Sequence, residues 1–244
     1  MDSNFWISFH NILRGCTYSS SVFLGVQPLI NESLDNLGDI DMPKIQTDDI
    51  NRFFEYGISI STKTIYIGSL VGGDEESGVD SAMAEYAVKG LHILDNLETE
   101  SHKEKPITIM LNTLGGYVSH GFAIYDAIMS CKNQTRIIAY GQVMSMGSVI
   151  FQAADTRIMM PRSIMMIHYG LSSLSESHAP TVYKWADENK RQDKIVDKIY
   201  LNAIRKKHPR FTTKKLNDWL MADTFFNPKE AIYWGLADEI GEGS

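Results

Sequence analysis

Ser145 stands in Gly141-Gln-Val-Met-Ser-Met-Gly-Ser148, between one apolar β-branched run and a second apolar run. A serine at the start of a helix can cap it, its oxygen accepting an amide hydrogen. It can also be a nucleophile whose oxyanion is stabilised by the helix amides. The segment is half of a Gly-x-Ser-x-Gly elbow: Gly147 is present, and Val143 occupies the position of the first glycine. A second constellation is Gly115-Gly116 in Leu111-Asn-Thr-Leu-Gly-Gly-Tyr-Val-Ser-His-Gly121. A glycine pair after a strand makes either a plain tight turn or a place where the backbone approaches a ligand and exposes its N–H groups. It is not a phosphate loop, since the Gly-Lys-Ser/Thr ending is missing.

A serine nucleophile needs a base. Of the seven histidines, His10 lies in a polar N-terminal arm, His92 within a helix pattern, His102 and His208 in charged stretches, and His178 in a polar loop. His168 ends the apolar run Ile164 to Ile167, at the kind of strand end where parallel sheets place active sites. His120, close to Gly116, is the other candidate. The base in turn needs a carboxylate to orient it. Asp223 precedes the aromatic run Thr224-Phe-Phe226, and Asp155 and Asp238 are rivals that sequence physics does not separate.

The elements that must position these groups alternate from about residue 55 onward. The β-branched run Thr64 to Gly68 predicts a strand, Asp80 to Leu97 a helix, and Pro106 to Leu111 a strand apolar on both faces. A helix follows over about Ser119 to Ser130, a strand over Thr135 to Tyr140, and a short apolar helix over about Met146 to Ala154. Thr156 to Met160 and Ile164 to His168 are two further strands flanking Pro161. A long helix runs from about Thr181 to Lys207, with Val196, Ile199, Tyr200 and Ala203 as its apolar stripe and Asp187 four residues before Arg191. It is either an assembly arm or a helix packed on its own core. The tail adds a helix near Thr213 to Met221, a strand at Thr224 to Phe226, a helix from Pro228 to Trp234, and a last segment from Leu236 to Ile240. This succession predicts an α/β fold with a mainly parallel sheet. Residues 1–48, rich in Ser, Asn and Asp, read as a partly flexible extension, leaving 49–244 as the domain.

Composition narrows the function classes. The 244 residues are 43% hydrophobic and 22% charged, an ordinary globular balance. Lys and Arg number 23 against 30 Asp and Glu, for a net charge of −7. The longest basic tracts are Arg205-Lys-Lys207 and Lys214-Lys215, which argues against a nucleic-acid binder. No apolar run reaches the roughly 18 residues of a membrane span. The N-terminal stretch lacks a secretory signal pattern, and Cys16 and Cys131 are too few for a disulfide framework. The expectation is a cytoplasmic protein with no metal, cofactor, membrane or nucleic-acid partner.

Taken together, the motifs resemble the proteolytic subunits of Clp proteases, the ClpP-like serine peptidases, over about Phe53 to Ile240. The resemblance rests on Leu111-Asn-Thr-Leu-Gly-Gly116 with Gly121-Phe-Ala-Ile-Tyr-Asp126, on Gly141 to Gly147, on Met160-Pro-Arg-Ser-Ile-Met-Met-Ile-His168, and on Asp223-Thr-Phe-Phe-Asn-Pro-Lys-Glu-Ala231 with Tyr233-Trp-Gly-Leu-Ala-Asp238. It implies the crotonase/ClpP-like ββα superhelix with a long handle helix. It implies Ser145 as nucleophile, His168 as general base and Asp223 as the orienting acid, with the Gly116 and Met146 amides as oxyanion hole. It further implies a heptameric ring, single or stacked as a tetradecamer, that is fed unfolded polypeptides by a Clp-family ATPase.

Three positions depart from the family pattern. Leu114 replaces the proline before Gly-Gly, Ala222 replaces the arginine before the acid, and Gly170 is the single glycine in the stretch to His178. Three other readings fit less of the chain. A non-catalytic ring subunit would lack a triad member, an acyl-CoA enzyme of the crotonase type would not need all three, and a signal-peptide peptidase would use a Ser–Lys pair and a membrane anchor.

Overall fold

The computed structural model describes residues 47–68, 78–97, 105–170 and 178–242. All of them belong to one compact unit that begins at Ile45. Most of the expected extension, the charged loop from Glu98, and most of the stretch from Gly170 to His178 lie outside the described residues.

Helix α1 (Thr47–Tyr56) and strand β1 (Ile58–Ser59) come first, then β2 (Thr64–Gly68), α2 (Ser81–Asp95), β3 (Ile107–Thr113), α3 (Val118–Met129) and β4 (Thr135–Met144). After these follow α4 (Met146–Phe151), β5 (Thr156–Met159), β6 (Ile164–Ile167) and the long α5 (Ala179–Lys207). The chain closes with α6 (Thr213–Leu220), β7 (Thr224–Phe226), α7 (Pro228–Trp234) and β8 (Glu239–Ile240). The expected elements are present with ends shifted by a few residues. The helix α1 was not expected. Its Asp49 carboxylate reaches across to accept hydrogen bonds from Ser59 Oγ at 2.8 Å and the Ile60 amide at 2.8 Å, and one from Ser61 Oγ, so α1 closes the turn before β2.

The sheet runs β1-β2-β3-β4-β5-β8, with β6 joining a different stretch of β4 and β7 joining β6. Pairs β2–β3, β3–β4, β4–β5, β4–β6 and β5–β8 are parallel, and β6–β7 is antiparallel. Strand β3 is buried along nearly its whole length, as the apolar run from Ile107 requires of a strand covered on both faces. Ile65, Ile67, Ile109, Leu111, Ile137 and Ala139 form the sheet side of the core against Leu91, Leu94, Ile124 and Ile128 of the helices.

Strand β4 is longer than the expected Thr135 to Tyr140 and changes partners half-way. Arg136 to Ala139 pair with β5, whereas Gln142 to Met144 pair with β6. The switch occurs at Gly141, whose φ of 53° favours glycine, and the register with β3 shifts there. Asn112 of β3 fills the bulge, its side-chain oxygen accepting the Gln142 amide at 3.1 Å. This bend carries Met144, and hence Ser145, out of the first layer and beside β6.

Helix α5 spans 29 residues, about 44 Å at 1.5 Å per residue. Only its C-terminal half is buried, through Val196, Tyr200, Leu201, Ala203 and Ile204. Tyr183 and Trp185 in the first half are exposed. On its surface Asp187 pairs with Lys190 and Glu188 with Arg191, so the expected Asp187–Arg191 partnership is replaced by two neighbouring i,i+3 pairs. Helix α7 begins with a capping box between Asn227 and Glu230 and with Pro228 in the first turn, which fixes where β7 ends.

Candidate active site

Three strand ends converge. In the parallel pair, Met144 faces Met166, so the residue after β4, Ser145, lies beside the end of β6. The Ser145 amide donates to the Met166 carbonyl at 2.9 Å. In the antiparallel pair, Ile167 faces Thr224, so His168 and Asp223 follow as neighbours one step beyond the ladder. The register therefore brings the three residues to one end of the sheet.

The distances link them in one line. His168 Nε2 lies 2.9 Å from Ser145 Oγ, and His168 Nδ1 lies 2.9 Å from Asp223 Oδ1. The His168 side chain is 22% exposed and that of Asp223 57%. An imidazole so placed can take the hydroxyl proton through Nε2 while the carboxylate holds the proton on Nδ1. The rival groups are engaged elsewhere. Asp155 accepts from the Thr135 amide at 2.8 Å and Thr135 Oγ1 at 3.0 Å, and Asp238 pairs with Arg157 at 2.7 Å. His120 lies on α3, edge-on to the Tyr117 ring, and is not part of the line.

Ser145 itself has φ 49° and ψ −124°, a conformation rare for any residue with a side chain. Such backbone persists only where its surroundings fix it. Its N–H is fixed by Met166, and its carbonyl accepts from the Ser148 amide at 3.0 Å and from Ser148 Oγ at 2.6 Å. Ser145 is the N-cap of α4 by position, yet its side chain makes no capping hydrogen bond and turns to His168 instead.

Gly115 and Gly116 lie against this turn with φ of 103° and 154°. A Cβ on Gly115 would sit 2.6 Å from Ser145 Cβ and 3.0 Å from the Met146 nitrogen, so this close approach requires glycine. Val79 donates to the Gly115 carbonyl at 2.6 Å and accepts from the Tyr117 amide at 2.9 Å. In a parallel bridge of that form, the N–H of Gly116 points to the opposite side from Val79. Met146 is the first residue of α4, so its N–H has no acceptor within the helix. Gly116, Ser145 and Met146 line the same cleft.

A cleft of about 500 Å³ opens over these groups. Leu114, Val118, Val149 and Val196 give it apolar walls, with Gln192 and Asp193 of α5 on the far side. Burial, and then the nearby Asp197, raise the Asp193 carboxyl above its ordinary range. Tyr169, at the rim, donates to Asp197 Oδ1 at 2.9 Å and so ties the residue after His168 to α5. Among the described residues, no group of three or more His, Cys, Asp or Glu side chains is placed to hold a metal, and no helix is long and apolar enough to cross a membrane.

Sequence reasoning did not single out Ser148, Met166 or Thr113 as supports of the site. Thr113 Oγ1 accepts the Gly115 amide at 3.1 Å. A polar residue three places after Ser145 in an otherwise apolar helix was the one available signal for Ser148.

The sequence profile of the Clp protease family matches residues 75–244. The chain belongs to the Clp protease family. It is 33% identical over 164 residues to an ATP-dependent Clp protease proteolytic subunit of Deinococcus radiodurans, covering 66% of this chain and 76% of that relative. To the ATP-dependent Clp protease proteolytic subunit 2 of Pseudomonas aeruginosa it is 29% identical over 165 residues, 67% of this chain and 77% of the relative. A solved structure of a ClpP1 point mutant from Listeria monocytogenes superposes with a TM-score of 0.61 at 25% identity, covering 75% of this chain and 94% of the other. The fold is therefore the α/β fold of ClpP, and the chain is a Clp-type peptidase.

Proposed function

We propose that the chain is a serine endopeptidase that uses Ser145 as nucleophile, His168 as general base and Asp223 as the acid that orients His168. The observation that carries this reading is the unbroken line Asp223–His168–Ser145, with both contacts at 2.9 Å. His168 Nε2 takes the Ser145 proton as Oγ attacks a peptide carbonyl, and the same proton then passes to the leaving amine. Water, deprotonated by His168, hydrolyses the acyl-enzyme. The Gly116 and Met146 N–H groups stabilise the oxyanion in both tetrahedral intermediates.

The substrates are unfolded polypeptides, cut inside a chamber built from several copies of this chain, heptameric in each ring, and fed by a Clp-family ATPase. One feature supports assembly. The first half of α5 leaves Tyr183 and Trp185 exposed. It is a surface that a neighbouring copy would cover. The relatives' names carry the ATP dependence, which extends here to a partner ATPase.

The test is hydrolysis of a fluorogenic peptide and of an unfolded protein by wild type and Ser145→Ala, with the assembly mass measured for both. The reading predicts that Ser145→Ala assembles normally and loses turnover by several orders of magnitude. Equal turnover in the two would refute it.

A further inference from the structure

We infer that Tyr200 is a positioning residue for the reaction, acting through Ser148 on the peptide that joins Ser145 to Met146. The inference rests on the reading of Ser145 as nucleophile and of the Met146 N–H as an oxyanion donor.

Tyr200 and Ser148 are both fully buried. Their hydroxyl oxygens are 2.6 Å apart, and Ser148 Oγ is also 2.6 Å from the Ser145 carbonyl oxygen. A carbonyl can only accept, so the single Ser148 proton goes to it. Tyr200 must then donate to Ser148 Oγ. The direction of the chain is fixed: Tyr200 O–H to Ser148 Oγ–H to the Ser145 carbonyl. Burial, opposed in part by the Ser148 bond, raises the Tyr200 phenol well above its ordinary range, so the donor stays protonated.

The Ser145 carbonyl belongs to the same planar peptide unit as the Met146 N–H. Fixing the carbonyl fixes where that N–H points. Hydrogen bonds in series also polarise one another, so donation to the carbonyl makes the Met146 N–H a stronger donor. The unit starts at a residue with φ 49°, which needs outside restraint. Met166 on the His168 strand holds its N–H, the Ser148 amide at 3.0 Å holds its carbonyl from within α4, and the hydroxyl chain adds a restraint from α5. A core tyrosine with a satisfied hydroxyl needs only one partner. Here the partner is the residue that restrains the nucleophile.

The experiment compares wild type, Tyr200→Phe, Ser148→Ala and the double variant. Assembly mass and thermal stability are measured first, then kcat, KM and the rate of labelling by a fluorophosphonate probe. In labelling, Ser145 Oγ bonds to phosphorus, fluoride leaves, the proton passes to His168, and the phosphoryl oxygen takes the oxyanion position. Tyr200→Phe should lower kcat and the labelling rate about fivefold, the rate equivalent of one net hydrogen bond, with KM within about twofold. Ser148→Ala should lower them at least as much, and adding Tyr200→Phe to it should change little, because the two act in series.

A purely structural tyrosine would lower the melting temperature and leave both rates of the folded protein unchanged. That result, or multiplying losses in the double variant, overturns the inference. If Tyr200→Phe does not fold, Ser148→Ala carries the same rate prediction. Absence of label on wild-type Ser145, with a Clp-type ATPase bound as well as without, would instead remove the nucleophile reading itself.

Discussion

Replacing Asp223 by asparagine removes a charge and leaves the shape. In the wild type, Asp223 Oδ1 sits 2.9 Å from His168 Nδ1, and its side chain is 57% exposed. In the proposed mechanism His168 becomes an imidazolium as it takes the Ser145 proton, and the carboxylate stabilises that charge. Two unit charges about 4 Å apart interact by about 1 kcal/mol in water and about 4 kcal/mol at an effective dielectric of about 20. The exposure of Asp223 puts the pair nearer the first value, at about 1–3 kcal/mol after screening. At about 1.4 kcal/mol per decade, the expected loss in kcat is roughly tenfold to a hundredfold. In the serine-protease triad the same substitution costs about 10⁴, because asparagine lets the wrong histidine tautomer persist. The assay is kcat for a fluorogenic peptide, with wild type and Asp223→Asn compared at low and high salt. Screening predicts that the gap narrows as salt rises. A change in kcat smaller than twofold at low salt would refute the role of Asp223. A loss near 10⁴ that is indifferent to salt would refute the screening argument and mean that control of the His168 tautomer, rather than charge, is the main role of Asp223.

Gly116→Ala should fold less well and lose about a hundredfold or more in kcat, since its Cβ would lie 2.4 Å from the Val79 carbonyl oxygen and the amide must move; steady-state kinetics on the folded fraction checks it. Asp238→Asn should lower stability by about 2 kcal/mol at neutral pH without altering kcat, because it strips the ion pair from the buried Arg157. Burial raises the Asp238 carboxyl, and the Arg157 hydrogen bonds and charge outweigh it and hold it below its ordinary value. The stabilisation is therefore present above the unfolded pKa of about 3.9 and lost as pH falls through the lower folded value, so the two melting curves should converge below about pH 4. Tyr183→Ser with Trp185→Ser should shift the chain toward smaller species by mass photometry while its unfolding transition survives; an unchanged mass would remove the first half of α5 from the assembly surface.

Much of the layout was legible because the chain follows local rules. The runs at Thr64, Ile107 and Thr135 are β-branched and bounded by glycine, proline or charge, and the apolar stripe of α5 has helical spacing. His168 and Asp223 could be named as candidates from their places at strand ends. What was not legible depends on pairing between distant strands. Asp155 and Asp238 looked equal to Asp223 until the β6–β7 register put one beside His168 and the side-chain bonds occupied the others. The extension of β4 to Met144 was hidden by Gly141-Gln142, which reads as a strand end and is a bulge supported by Asn112, a residue of another strand. Helix α1 was hidden because its sequence is largely polar, and its tie is made by Asp49 to a turn ten residues on. The link from Tyr200 to Ser148 joins residues 52 apart, a distance over which no spacing rule operates.

The most direct test of the central claim is to label the assembled protein with a fluorophosphonate probe, wild type beside Ser145→Ala, and to map the modified peptide. The account predicts one labelled residue, Ser145, and no label in the variant. Label on a different serine, or none on Ser145 even with a Clp-type ATPase bound, would contradict it.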